Sequence, residues 1–194
     1  FLYSFCYKPF LHDKIKSKGI NWAIPPGFTL KIRRSDPRFF IDKSGRLYSN
    51  RIAKLVVQEN VVENIVNRLS KYYDQFFVDE VQDFGGHDFN LLTSLCRADL
   101  DINFVGDFFQ HTFDTSRDGV VNQSLYNDFE VYKSTFESMG MTPDTTTLSH
   151  SYRCTPEVCQ FITEQIGIEI HSHKKEHSEV SLISDIENVM EMFK

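Results

Sequence analysis

Residues 76–83 read Phe-Phe-Val-Asp-Glu-Val-Gln-Asp, an apolar strand that ends in three acids, Asp79, Glu80 and Asp83. Consecutive carboxylates at the end of a buried strand are costly unless they hold a cation or move a proton. In an open α/β sheet, ligands bind outside the carboxyl ends of the strands. The acids therefore stand where a nucleotide with Mg²⁺ is expected, with Asp79 suited to the metal and Glu80 to activating water. A solvated or helix-capping acidic cluster is the plain alternative.

Two later segments bear on that choice. Residues 101–107 read Asp-Ile-Asn-Phe-Val-Gly-Asp, a second short apolar strand, and Phe-Phe-Gln-His follows it. Residues 148–154 read Leu-Ser-His-Ser-Tyr-Arg-Cys and run into a helix start at Thr155-Pro156-Glu157. The ordered series VDEVQD, VGDFFQ and LSHSYRC resembles motifs II, III and IV of UvrD/Rep-type superfamily 1 helicases, over roughly residues 1–166. Tyr3-Ser4-Phe5 is similar to the family's Thr-x-His-Ser-Phe segment, with Tyr3 where His is usual.

The resemblance implies an α/β, RecA-like P-loop NTPase fold with a parallel sheet flanked by helices, incomplete at the N-terminus. Residues 1–167 are then most of a first RecA-like domain, with a reduced accessory insertion at about 21–70, and 168–194 start a second. The implied activity is ATP-dependent DNA helicase or translocase action, with ATP and Mg²⁺ as cofactors and single-stranded DNA as partner. Asp79 and Glu80 would hold Mg²⁺, and Glu80 would deprotonate the attacking water. Gln110 would sense the γ-phosphate through an amide that donates and accepts. Tyr152 would stack on adenine and Arg153 would grip the γ-phosphate, the planar guanidinium being suited to that task. Tyr3, Ser4 and Phe113 would meet nucleic acid, Phe113 as a base-stacking platform. Pairing with a core acid is the alternative for Arg153, and helix capping for Asp83.

Departures shift the emphasis. Where the family has a second aromatic and then Arg, this chain has Thr115 and Ser116, with Arg117 displaced by one. The nucleotide side is thus closer to the family pattern than the DNA side. No Gly-x-x-x-x-Gly-Lys-Ser/Thr occurs in the 194 residues. That loop cradles β- and γ-phosphates, so the chain alone is expected to bind ATP weakly and hydrolyse little. Phe1 stands where an initiator Met is usual, and a fragment is expected. The rival reading is a regulatory ATPase that senses DNA or nucleotide and gates a partner nuclease, as in Gabija-type anti-phage systems with an OLD-family nuclease. A third reading is a binding scaffold without catalysis.

Composition excludes several classes. With 41% hydrophobic and 25% charged residues, the chain matches ordinary globular domains. No apolar run nears the roughly 20 residues that span a bilayer, and no secretory signal pattern is visible, so no membrane partner is expected. Cys6, Cys96, Cys154 and Cys159 form no CxxC pair, which points to a reducing cytoplasm. A net charge of −6 argues against bulk electrostatic binding of nucleic acid, and the lysines and arginines at 14–18 and 31–38 read singly as solvated.

The remaining pattern predicts a helix from the aromatic start up to Gly19, a loop over 21–37 and a hairpin over 38–49. One or two helices follow over 50–73, capped by Ser49 or Asn50. Helices are predicted at 87–97, 125–139 and 155–165, the last with Pro156 in its first turn and Gly167 past its end. Strands are predicted at 99–107, 145–149, 168–170 and 180–183. A capping box at 184–187 is predicted to open a last helix. His171, His173 and His177 lack acids or cysteines at ligand spacing and read as linker.

Overall fold

A computed structural model of the chain describes residues 1–112, 115, 116, 121–181 and 183. The aromatic opening winds into a π-helical turn, Leu2–Tyr7, that continues as helix α1, Lys8–Leu11. The helix stops well short of Gly19. The Leu11 carbonyl accepts from the N–H groups of both Lys14 and Ile15, at 3.1 and 2.8 Å, and the Tyr7 hydroxyl donates to the Ile15 carbonyl. Those bonds fold the chain back before another helical turn can form.

Strand β1, Ile20–Asn21, pairs in parallel with β2, Leu47–Tyr48. Between them lie 3-10 turns at Gly27–Lys31 and Pro37–Phe39, where a loop was expected for the first. The expected hairpin is reduced to one antiparallel bridge, Ile41 to Leu47. Asp36 and Pro37 account for this, because the Asp36 carboxylate accepts from Arg38 N–H at 2.9 Å and starts a turn where a strand would need extended backbone.

Two helices follow, α2 at Ile52–Gln58 and α3 at Val62–Tyr72, separated at Asn60, whose φ of 57° ends the first. Neither Ser49 nor Asn50 caps α2. Ser49–Arg51 form a 3-10 turn, and Arg51 stands at the N-cap without a side-chain cap bond. The buried Arg51 guanidinium instead donates to the Phe39 carbonyl at 2.5 Å and lies 3.9 Å above the Phe39 ring. That ring face favours the cation.

Strand β3, Gln75–Val78, helix α4, Gly86–Leu95, and strand β4, Asp101–Phe104, form the expected strand–helix–strand unit with parallel pairing. Helix α5, Phe129–Ser138, starts later than expected because Asp128 caps it, accepting from Val131 N–H at 3.0 Å.

Helix α4 joins the two apolar cores. Leu91 and Leu95, one turn apart, enter a cluster with Tyr7, Phe40, Leu55 and Ile65. Phe89 and Leu92 enter a second with Val78, Val81, Tyr132 and Phe136. Residues three and four apart share a helix face, which is why one short helix serves both.

The chain divides into two compact units, 1–141 and 142–194. The second contains β5, His150–Ser151, helix α6, Pro156–Ile166, and β6, His171–Ser172, with β5 and β6 parallel. Pro156 sits in the first turn of α6 and Gly167 ends it, as the sequence predicts. The strand predicted at 145–149 is not formed. Asp144 takes the Thr146 and Thr147 N–H groups at 2.8 and 3.0 Å, which turns the segment, and strand begins at His150. Strand falls at 171–172 rather than 168–170, and Val180, Ser181 and Ile183 are not strand. The predicted capping box at 184–187 lies outside the described residues.

The class is mixed α/β. Among the described residues there are six α-helices and three separate two-stranded parallel pairs, not one continuous parallel sheet. No described helix is long and apolar enough to cross a membrane.

The core assignment predicts a contrast between neighbours on α2. Leu55 is fully buried and Val57 is 41% exposed. Leu55→Ala should lower unfolding free energy by about 2–5 kcal/mol and Val57→Ala by well under about 1 kcal/mol, read from urea midpoints.

Candidate functional site

The parallel register of β3 and β4 sets Val78 opposite Phe104, so both strands deliver their following residues to the same end of the pair. From β3 come Asp79 and Glu80, both exposed. Asp79 Oδ1 accepts from the Glu80 N–H at 3.0 Å. Glu80 is in the left-handed region, φ 52° and ψ 46°, which costs an L-residue about 1–2 kcal/mol. A carboxylate held there marks a place where the surrounding structure fixes the backbone, a pattern that clusters at functional sites.

Gln82 supplies that constraint. Its side chain is buried, donating from Nε2 to Glu80 Oε2 at 2.5 Å and accepting at Oε1 from Asp107 N–H at 2.9 Å. Its carbonyl meets His111 Nδ1 at 2.8 Å. Backbone bonds join the strand ends as well, Val81 N–H to the Val105 carbonyl at 3.0 Å and Thr115 N–H to the Asp83 carbonyl at 2.8 Å. Gly106 is required by this approach. A Cβ there would stand 2.4 Å from Gln82 Oε1 and 3.0 Å from the Val81 nitrogen.

From β4 comes Asp107, whose carboxylate accepts from Phe109 N–H at 3.0 Å and from Gln110 Nε2 at 2.7 Å. Gln110 thus sits on the 3-10 turn Phe108–Gln110, exposed, with its amide oxygen outside that bond. Asp83 lies in the turn Val81–Asp83 that follows Glu80. The structure brings Asp79, Glu80, Asp83 and Gln110 to the one strand-end region.

Of the other predicted site residues, Tyr3 and Ser4 line a cavity of the first unit together with Asp79. Tyr3 stacks on Tyr7 at 5.4 Å between centroids, and the Lys8 ammonium lies 5.3 Å from its ring. Ser4 is exposed beside it. Phe113 lies outside the described residues. Tyr152 and Arg153 belong to the second unit and are exposed. The Tyr152 ring stacks on His173 at 4.1 Å, and the Arg153 N–H donates to Ser151 Oγ at 3.2 Å. His171 lies 3.6 Å from Glu169, and His177 pairs with Glu157. The His177 bond holds the Glu157 carboxyl well down, at about 2. Among the described residues no group of three such side chains can hold a metal ion.

Sequence reasoning missed Asp88. It is 6% exposed, its Oδ1 has no hydrogen-bond partner, and burial pushes its carboxyl up to about 6. The Thr115 hydroxyl is near enough to temper that rise without meeting the geometry of a hydrogen bond. The signal was present in the spacing: Asp88 stands at i on the stripe whose i+3, i+4 and i+7 members are Leu91, Leu92 and Leu95.

A scan against models of known protein families gives no match for this chain, and no curated protein matches it.

Two outcomes are expected. Gly106→Ala should cost about 1–3 kcal/mol, because the new methyl meets the Val81 backbone and the buried Gln82 amide, and urea unfolding reads it. Between pH 4 and 6 folded Asp88 keeps a proton that the unfolded chain has lost, so stability falls as pH climbs through that window. Asp88→Asn removes the penalty. It should stabilise by on the order of 2–3 kcal/mol at pH 7.5 and hardly at pH 4, checked by urea midpoints at the two pH values.

Proposed function

We propose that the chain is part of a UvrD-like superfamily 1 ATPase with a RecA-like P-loop NTPase fold, acting on single-stranded DNA. One observation carries the reading. The two motif-bearing strands pair in parallel, so that Asp79 and Glu80 lie at the same end as Asp107 and Gln110, joined by Gln82. This is where an α/β sheet offers a ligand site.

The donor set fits a Mg²⁺–nucleotide. Asp79 and Glu80 are exposed carboxylates that would hold a hydrated hard cation, Asp79 having one oxygen already engaged by the Glu80 N–H. Mg²⁺ when bound neutralises phosphate charge. Glu80, fixed by its backbone and by Gln82, takes the proton of the attacking water. Gln110 offers its amide to the terminal phosphate from the Asp107 turn. In the second unit, taken by itself, Tyr152 is exposed with its ring stacked on His173, and adenine stacking there is what the resemblance implies. Arg153 supplies a permanent positive charge.

A second reading is favoured by the loop after β4. Ser116 is buried, its Oγ donates to the Asn50 carbonyl at 3.1 Å, and its own carbonyl lies against Gly86. A position that in the family serves DNA is here spent on packing. That suits an ATPase that senses DNA or nucleotide and regulates a nuclease partner, as in Gabija-like defence, more than a general unwinding motor.

The test is ATP hydrolysis by the native gene product with and without single-stranded DNA. Stimulation by single strands is expected, and Glu80→Gln should reduce turnover by at least about 100-fold while ATP still binds. Absence of hydrolysis under both conditions would sink the ATPase reading. Strand displacement without any partner would count against the regulatory version.

A further inference from the structure

A cavity of about 800 Å³ opens in the first unit, within the range of small-molecule sites. Its walls are mostly apolar, built from the α4 stripe and from the rings of Trp22, Phe76, Phe77 and Phe84. Two carboxylates line it, Asp79 at one side and Asp88 in the wall, and among the described residues no Lys, Arg or His side chain does. Asp88 is the unusual member, more than nine-tenths buried with an oxygen left without a hydrogen-bond partner. Such a group is expensive to retain unless something pairs with it. Asp88 stands in the first turn of α4, where an acid is favoured, but that position does not supply a partner for the buried oxygen.

We propose that this cavity binds a planar aromatic cation, a ring carrying an amidinium or ammonium group, with Asp88 as the counter-charge. Apolar walls take the ring, aromatic faces attract the positive charge, and the buried carboxylate fixes its direction. A neutral ring would leave Asp88 unpaired, and an anion would meet two carboxylates. The proposal does not rest on the ATPase reading, because Asp88 has no role in it, although Asp79, Tyr3 and Ser4 also line this cavity.

Trp22 is the chain's one tryptophan and lies on the cavity wall, so its fluorescence reports occupancy. The probes are benzamidine, benzyl alcohol as ring without charge, and acetamidine as charge without ring, in Mg²⁺-free buffer. Saturation-transfer NMR on the same probes gives a readout independent of Trp22. Benzamidine should quench saturably and bind at least tenfold more tightly than either control. Asp88→Asn should weaken benzamidine at least tenfold, and Asp79→Asn less than threefold. Urea unfolding shows whether the variants are folded. No saturable benzamidine binding, equal binding of benzyl alcohol, or unchanged affinity in folded Asp88→Asn would overturn the proposal. A larger loss in Asp79→Asn than in Asp88→Asn would also overturn it, because the counter-charge would then be the acid strand's.

Discussion

The approach of the two strand ends at Gly106 and Gln82 is the contact on which the acid-bearing end of the first unit depends. Two short strands and a single ladder would not by themselves fix the residues that follow them, because two-stranded pairs are marginal in water. The buried Gln82 amide uses both its donor and its acceptor, one toward Glu80 and one toward the Asp107 backbone. An amide does both at once, through separate atoms and without adding a charge. It can reach only because position 106 has no Cβ. The left-handed backbone at Glu80 is held in place by the same bonds.

Helix α4 is the second structural requirement. It contributes Leu91 and Leu95 to one core and Phe89 and Leu92 to the other, so its register cannot slip without emptying both. That fixed register keeps Asp88 in the wall of the cavity despite the cost of burying a carboxyl. The start of the helix is equally constrained. Gly86 has φ +52°, and a Cβ there would lie 2.7 Å from the Ser116 carbonyl oxygen. No L side chain suits that backbone in that space.

What the sequence made legible was what depends on local pattern. The acid-ended strand, the parallel strand–helix–strand unit and the Pro156 to Gly167 limits of α6 follow from apolar runs, short connections and proline–glycine punctuation. Three of the misplacements share a cause, side chains bonding to nearby backbone. The Asp36 turn runs into the start of the expected hairpin, Asp144 turns the start of an expected strand, and Tyr7 helps fold the chain back where helix was expected up to Gly19. Gln82 was visible only as a spacer between acids. Its role depends on Asp107, twenty-five positions away, and no local pattern encodes that contact. Asp88 was hidden differently: its neighbours read as an ordinary amphipathic helix, and the one acid on the apolar stripe was passed over.

The loop after β4 connects these features along a short path. Asp107 turns the chain and holds Gln110; His111 returns to the Gln82 carbonyl and stacks on Tyr126 at 3.7 Å; Thr115 bonds to Asp83 and lines the cavity beside Asp88. Ser116 then closes onto Asn50 and Gly86. Between the turn that carries Gln110 and the wall that carries Asp88 every described step is a hydrogen bond, a ring contact or the chain itself. At the described residues the contacts tie the Gln110 turn to Gln82 and tie Thr115 and Ser116 to Asp83 and Asn50. The departures from the helicase pattern at Thr115 and Ser116 fall on this stretch. Small hydroxyl side chains allow the close packing there, and an aromatic and an arginine at the same positions would have to leave it for solvent.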